Sequence, residues 1–308
     1  MIGLTVMIPT FRRPEGLDQA VRSVFAQIGI DCATTELVIV DNSPEAGARA
    51  QVEAHAATAP LTVRYVHAAE PGVANARNAG FAAARGAKIA MLDDDEAATP
   101  GWLAALCDTA QRFDAAVVFG PVIGRSPAGC ALPSSYVAQF FSRPGPTSSG
   151  PIDDYYGCGN ALIDRGRVTL PDPPFDRALD QLGGEDDRLF SRLHRSGVRF
   201  AWAHEGEVYE DVPAARATLR HVLARSFARG QGPSQICVGA QPRQTVKLAF
   251  WMMVGLGQLG VYGAGAGLMW YLNRARALGL LARAAEGLGK CFWMDAFAPK
   301  LYAPSPSP

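Results

Sequence analysis

The chain has 308 residues, 48% of them hydrophobic and 19% charged, enough to bury one large core or a core with an appendage. Lys plus Arg and Asp plus Glu both number 29, so the formal net charge is zero; no global field recruits nucleic acid, and any anion binding must be local. The six cysteines, Cys32, Cys107, Cys130, Cys158, Cys237 and Cys291, form no CxxC pair and no regular ladder. That pattern predicts scattered reduced thiols of a cytoplasmic protein and argues against structural zinc. Met1 leads within a few residues into strand-like LTVMIP, without a basic leader or cleavage site, so secretion is not expected.

Over the first 125 residues, apolar runs alternate with helical stretches. Strands are predicted at residues 4–8, 36–40, 62–66, 89–92 and 115–119, and helices at 16–27, 74–84 and 102–113. Strands rich in Val and Ile, separated by helices, predict a parallel sheet covered on both faces, with ligands beyond the carboxyl ends of its strands. The first strand ends in Pro9, Thr10 and Phe11, the second in Asp41, Asn42 and Ser43, the fourth in Asp93, Asp94 and Asp95. All three groups fall along one edge and describe a pocket.

The run AKIAMLDDDE at 87–96 is the sharpest signal, an apolar strand that stops at three carboxylates. Such groups repel and resist desolvation unless a cation or its ligand compensates, so the run reads as a metal–phosphate site. The bland alternative is a solvated turn whose residues 94–99 cap a helix opening at Pro100, Gly101 and Trp102.

Residues 124–174 turn to Pro, Gly and Ser, with SRPGPTSSGP at 142–151 expected as a mobile loop. DDYYGCGNALIDR at 153–165 reads either as a strand re-entering the core, its glycines letting backbone approach a ligand, or as a surface excursion. GGEDDRLFSRLHRSG at 183–197 predicts a short amphipathic helix with Leu189, Phe190 and Leu193 on one face. Its opening acids complement the helix dipole; a carboxylate held there beside a glycine turn is also placed to act as a base. Short strands at 200–202 and 207–209 lead to a basic helical stretch, 216–230, carrying Arg216, Arg220, His221, Arg225 and Arg229. It suits contact with a phosphate, or simply a solvated or lipid-facing surface.

Residues 248–272 hold no charge and are long enough to cross a bilayer. Gly263 and Gly267 stand in GxxxG spacing, and Trp251, Trp270 and Tyr271 lie near the ends. Both flanks are basic, with Arg243 and Lys247 before and Arg274, Arg276 and Arg283 after. That symmetry disfavours a simple crossing and predicts a re-entrant or interfacial hairpin, broken around its glycines and followed by an amphipathic stretch at 275–288. The alternative is a buried soluble helix.

The motifs TVMIPTFRRPEGLDQAVRSV, VDNS at 40–43, EPGVANARNAG at 70–80, LDDDE at 92–96 and GGEDDRL at 183–189 resemble, in order and spacing, glycosyltransferase family 2, the inverting transferases of GT-A fold. The resemblance implies a Rossmann-like α/β fold, a mixed and mainly parallel sheet with helices on both faces. It covers a catalytic domain at 1–232; a helical, membrane-associating region at 233–295 and a disordered tail at 296–308 would complete the chain. By resemblance, Pro9, Thr10 and Phe11 would wall the nucleobase, Asp41 would accept a hydrogen bond from it, and Arg77 and Asn78 would help hold nucleoside and phosphates. The family's D-x-D pattern falls on Asp93 and Asp95, with Asp94 between them in the nucleotide-sugar site. Asp93 would meet the ribose and Asp95 would ligate Mg²⁺ or Mn²⁺ bridging the diphosphate. Asp186 would be the general base, with Glu185 ranked second for that role and otherwise orienting or contacting the acceptor, and Asp187 a surface residue.

The donor so implied is a nucleotide-diphosphate sugar, a UDP-sugar above all, and the acceptor a lipid-linked or saccharide one in cell-surface polysaccharide assembly. The setting would be the cytoplasmic face of the inner or plasma membrane. The chain lacks the Q-x-x-R-W motif of processive relatives, which argues against processive polymerisation. Two other classes compete: a nucleotidyltransferase, for which PTFRRPEG offers little of the glycine a phosphate loop needs, and a non-catalytic nucleotide-sugar-binding membrane scaffold, which intact Asp93, Asp95 and Asp186 disfavour.

Overall fold

A computed structural model describes residues 2–180 and 183–299. In chain order its elements are β1 (Leu4–Thr10), α1 (Pro14–Phe25), β2 (Thr35–Asp41), α2 (Arg49–Ala56), β3 (Thr62–His67), α3 (Val73–Ala83), β4 (Lys88–Leu92), β5 (Glu96–Ala98), α4 (Trp102–Arg112), β6 (Val117–Phe119), β7 (Val122–Arg125), α5 (Ser134–Phe141), β8 (Gly150–Ile152), β9 (Asn160–Asp164), α6 (Glu185–Arg195), β10 (Phe200–Trp202), β11 (Val208–Asp211), α7 (Leu219–Gly239), α8 (Thr245–Met269) and α9 (Arg274–Cys291). They form two compact units: residues 1–124 with 142–211, and 125–141 with the chain from Val212 onward.

In the first unit, eight strands run in the order β3-β2-β1-β4-β9-β6-β10-β8. β1 pairs in parallel with β2 and β4, and β2 with β3, while β9 inserts antiparallel between β4 and β6. Because side chains alternate along a strand, Val6 and Ile8 of β1 and Leu37 and Ile39 of β2 face a layer holding Leu17, Val21 and Val24 of α1 and Trp102, Leu103 and Leu106 of α4. Met7, Val38 and Val40 face the other layer, with Phe81, Phe175 and Phe190. Burial on both faces is why these strands read as unbroken apolar runs. A second sheet, β5-β11-β7, starts just past the acids that end β4.

Helix α1 begins with Pro14 in its first turn, where the missing N–H costs nothing, and carries Glu15 at the positive end of its dipole. Leu17, Ala20, Val21 and Val24, at helical spacing, are its buried face. Residues 142–151, expected to be mobile, are docked at three places. Arg143 exchanges backbone hydrogen bonds of 2.7 and 3.2 Å with Val122, Gly145 lies against the Trp202 ring, and the Ser149 hydroxyl donates to Glu205 at 2.5 Å.

The second unit centres on Tyr136, Val137 and Phe141 of α5, packed with Val212, Ala217, Val222, Leu278 and Ala282. The basic stretch opens as α7, capped by Thr218, and Arg225 and Arg229 stack 5.2 and 5.4 Å over Phe141 and Phe140. The boundary expected after residue 232 falls inside this helix.

Helix α8 is continuous, not broken at its glycines as expected, and hairpins onto α9. The glycines used in packing also differ from the expected pair. A Cβ on Gly255 would sit 2.5 Å from the Gly287 carbonyl oxygen, and one on Gly287 equally near that of Gly255. Gly263 and Gly267 have nothing within 4 Å. Backbone-to-backbone approach of this kind needs small residues at the crossing, and the crossing is nearer the N-terminal half of α8. Only 6% of the most apolar window of α8 is buried, and Phe250, Met253, Leu256 and Leu268 are exposed. Of the tail expected to be disordered, residues 300–308 lie outside the described residues.

Candidate functional site

Parallel pairing brings the carboxyl ends of β1, β2 and β4 to one edge, with Thr10 in register with Asp41. The acids after β4 are tied to the end of β1: the Thr10 hydroxyl and Phe11 N–H donate to Asp94 Oδ2 at 2.8 and 3.3 Å. Arg13, which sequence reasoning passed over, donates from one nitrogen to Asp94 at 3.0 Å and Asp95 at 2.6 Å. Pro9 is half-buried, and Phe11 is 41% exposed beside the acids, with the Arg12 guanidinium 5.0 Å over its ring.

Two expected ligand contacts are occupied by the protein itself. Asp41 accepts four hydrogen bonds, from the Ser43 N–H and hydroxyl on Oδ1, and from the Ala48 N–H and Tyr65 hydroxyl on Oδ2. Burial pushes its carboxyl up, but these donors outweigh burial and hold it below the usual aspartate range. With both oxygens filled, Asp41 shapes the turn after β2 and has no lone pair left for a nucleobase. Asn78 is likewise committed: its amide donates to the Phe175 carbonyl at 2.8 Å and accepts the Phe175 N–H at 2.9 Å, pinning that ring instead of meeting phosphates.

Arg77 joins the two acid groups that lie far apart in sequence. Buried on α3, it is ion-paired with Glu185 at the start of α6, and its other nitrogen is 3.5 Å from Asp93 Oδ1. Burial works against its charge, but Cys158, Asp93, Glu185 and Asp186 around it more than reverse this. Glu185 is buried, its carboxyl pushed up by burial against the pull of Arg77. Asp186 is half-buried; Oδ2 accepts the Cys158 N–H at 3.3 Å and Oδ1 the Asp187 N–H at 2.8 Å. Asp187 is exposed.

The floor is set by β9. A Cβ on Gly159 would fall 2.5 Å from Glu96 Oε1 and 3.0 Å from Asp93 Oδ2. The close approach read from the glycines of 153–165 is therefore to carboxylates of the chain. Glu96, fully buried and unassigned by the sequence reading, accepts the Asp93 N–H at 3.1 Å and faces Arg143 at 3.5 Å. Burial raises the carboxyls of Asp93, Asp94 and Glu96, that of Asp94 to about 6, with mutual repulsion adding to each.

The charge balance bears on a cation. Six carboxylates, Asp93 to Glu96 with Glu185 and Asp186, meet three guanidiniums, those of Arg13, Arg77 and Arg143. Among the described residues no three His, Cys, Asp or Glu side chains gather into a ready-made cage. Mg²⁺ commonly uses one or two carboxylates and completes its shell with water and substrate phosphates. An excess of hard oxygen donors without a cage fits that mode of binding.

A mixed sheet with acids at its carboxyl edge thus faces a helix that opens on a second acid pair. Residues 5–164 match the family model described as glycosyl transferase family 2. The succinoglycan biosynthesis protein ExoM of Rhizobium meliloti (strain 1021) is 34% identical over 229 residues, 74% of this chain and 73% of that protein. The chain belongs to glycosyltransferase family 2 and is a glycosyltransferase. S. aureus TarS residues 1–349, crystallised in complex with UDP, superposes with a TM-score of 0.50 at 16% identity, covering 94% of this chain and 89% of that one. A longer S. aureus TarS structure gives 0.51 at 13% identity, covering 94% and 54%. These likenesses concern the fold.

Proposed function

We propose that the enzyme transfers a sugar with inversion from a nucleotide-diphosphate donor, a UDP-sugar above all, to a lipid-linked or saccharide acceptor in cell-surface polysaccharide assembly. The observation that carries the reading is the Asp93–Arg77–Glu185 bridge, because it sets the acids at the strand edge and those opening α6 around one space. The succinoglycan role in the name of the R. meliloti relative and the UDP held by the S. aureus neighbour support the acceptor pathway and the donor.

In this reading Pro9, Thr10 and Phe11 line the base, while Asp41 and Asn78 act through the turns they fix. Asp93 meets the ribose, Asp94 anchors the edge to β1, and Asp95 is the residue that would hold Mg²⁺ or Mn²⁺. The cation would neutralise charge developing on the leaving diphosphate. Asp186 takes the acceptor proton: Glu185 is locked to Arg77, whereas the partners of Asp186 are backbone N–H groups of Cys158 and Asp187. Attack from that side on the anomeric carbon, opposite the diphosphate, inverts its configuration. The exposed apolar face of α8 and its basic flanks support seating on the cytoplasmic face of the membrane.

Asp186→Asn tests the base. UDP binding in the presence of Mn²⁺ should be retained while transfer falls by about 10²–10⁴-fold. Unchanged turnover sinks the assignment.

A further inference from the structure

A cavity reaches Glu185, the first of the acid pair on α6. It has a volume of about 580 Å³ and lies between the segment Pro171–Arg177 and one side of that helix. Its helical wall is a single stripe: Glu185, Arg188, Arg192 and Arg195 follow at spacings of three, four and three, which place them on one face. Arg177 adds a fourth guanidinium from the opposite wall, and Phe175, held by Asn78, closes the inner end.

The charges in this cavity are unequally matched. Arg177 is ion-paired with Glu70, and Arg188 with Asp176 at 2.5 Å. Arg192 and Arg195 have no carboxylate partner among the described residues, and the Arg195 guanidinium reaches only the Ser191 carbonyl, at 3.2 Å. Asp172 is the lining acid left to oppose them. Two planar cations in a concave, proline-walled site form a receptor for anionic oxygens, which guanidinium binds in bidentate fashion. The helix dipole alone would also favour bases in its last turn, but it gives no reason for a cavity in front of them.

We propose that this cavity is the acceptor subsite, and that Arg192 and Arg195 there bind an anionic group of the acceptor, a phosphate or a carboxylate. The inference rests on the transferase reading above and names the substrate class for it. Glu185 belongs to both places, paired through Arg77 toward Asp93 and lining the cavity. At 1.5 Å of rise per residue, Arg192 and Arg195 stand roughly 10 and 15 Å along the helix from Glu185. An acceptor whose reacting hydroxyl lies at the acid pair therefore places its negative group that far away, beyond the sugar being extended.

The test uses the full-length protein and defined probes: decyl phosphate for a carrier phosphate, glucuronate for an acidic sugar, and methyl glucoside as the neutral control. Each is titrated calorimetrically at low ionic strength, with and without saturating UDP and Mn²⁺. Decyl phosphate or glucuronate should bind in the presence of UDP and methyl glucoside should not, and whichever binds identifies the source of the anion. Arg192→Ala with Arg195→Ala should weaken that binding at least tenfold while UDP affinity stays within twofold, and Arg192→Lys with Arg195→Lys should restore most of it. Binding of neither anion, or equal binding by the alanine variant, overturns the proposal. Failure of UDP to bind the wild type would instead strike the donor reading, and the titrations without UDP still decide the anion site.

Discussion

Replacing Arg77 by Met keeps most of the volume and removes the charge that joins Asp93 to Glu185. The Arg77 and Glu185 side chains are 7% and 5% exposed, so the substitution strands a buried carboxylate; that costs about 3–5 kcal/mol. The Asp93 arm adds little, because at 3.5 Å and with 34% of its side chain exposed, Asp93 is partly served by water. The guanidinium also lies 5.8 Å from the Phe175 ring, a contribution of roughly 0.5–1 kcal/mol. For a unit of about 200 residues these amounts lower the melting temperature by roughly 7–24 °C. Removing both partners, as Arg77→Met with Glu185→Leu, leaves no orphaned charge and should recover at least about 2 kcal/mol of the loss. Because the chain has two units, hydrogen exchange at the β1 and β4 amides is the suitable readout, reporting opening of the sheet itself. If the double variant is as unstable as the sum of the two single ones, the pair is not energetically coupled and the bridge does not organise the site.

Asp41→Asn should cost about 1–3 kcal/mol at pH 7, since an amide nitrogen replaces an acceptor that two donors need. The folded carboxyl is held below its ordinary value, so the stability it confers is full above about pH 4 and lost as pH falls through the folded value. Urea midpoints across pH 2–7 should thus show a shallower acid limb in Asp41→Asn, and parallel limbs would refute this. Gly159→Ala should destabilise by about 1–3 kcal/mol and lower turnover, because its Cβ would meet Glu96 at 2.5 Å; thermal melts and rates scored together check both. Phe250→Lys with Met253→Lys places charges on the exposed face of α8 and should release the protein from sedimenting lipid vesicles. Undiminished sedimentation of folded variant contradicts a membrane role for that face.

The strands of the first unit were readable because Val, Ile and Leu fill both faces of β1, β2 and β4, so no competing pattern obscured them. The edge that gathers Thr10, Asp41 and the acids followed from parallel pairing alone. What escaped were partners fixed by tertiary contact. Arg13 stands in plain view in PTFRRPEG, and an acid triplet needing counterions was the signal that could have found it. Glu96 looked like the end of a charge run, yet it is buried, which only the return of β9 at Gly159 determines. Asp41 and Asn78 were legible as important polar positions, but whether such a side chain serves a ligand or a neighbouring turn depends on where Tyr65 and Phe175 arrive. The packing glycines of α8 were missed for the same reason, since GxxxG spacing is a property of one helix and the crossing is a property of two.

The helical unit borrows α5 from the middle of the chain, and this has a consequence for biosynthesis. The Tyr136 hydroxyl donates to the carbonyl of Leu278, a residue made 142 positions later. At about 5–20 residues per second, the ribosome leaves α5 waiting roughly 7–30 s for that partner. The strands of the first unit are all made well before then, β10 ending at Trp202 and β11 at Asp211. Tyr136, Val137 and Phe141 thus lack their Leu278 and Ala282 partners until α9 emerges, an apolar handle for chaperones in the interval.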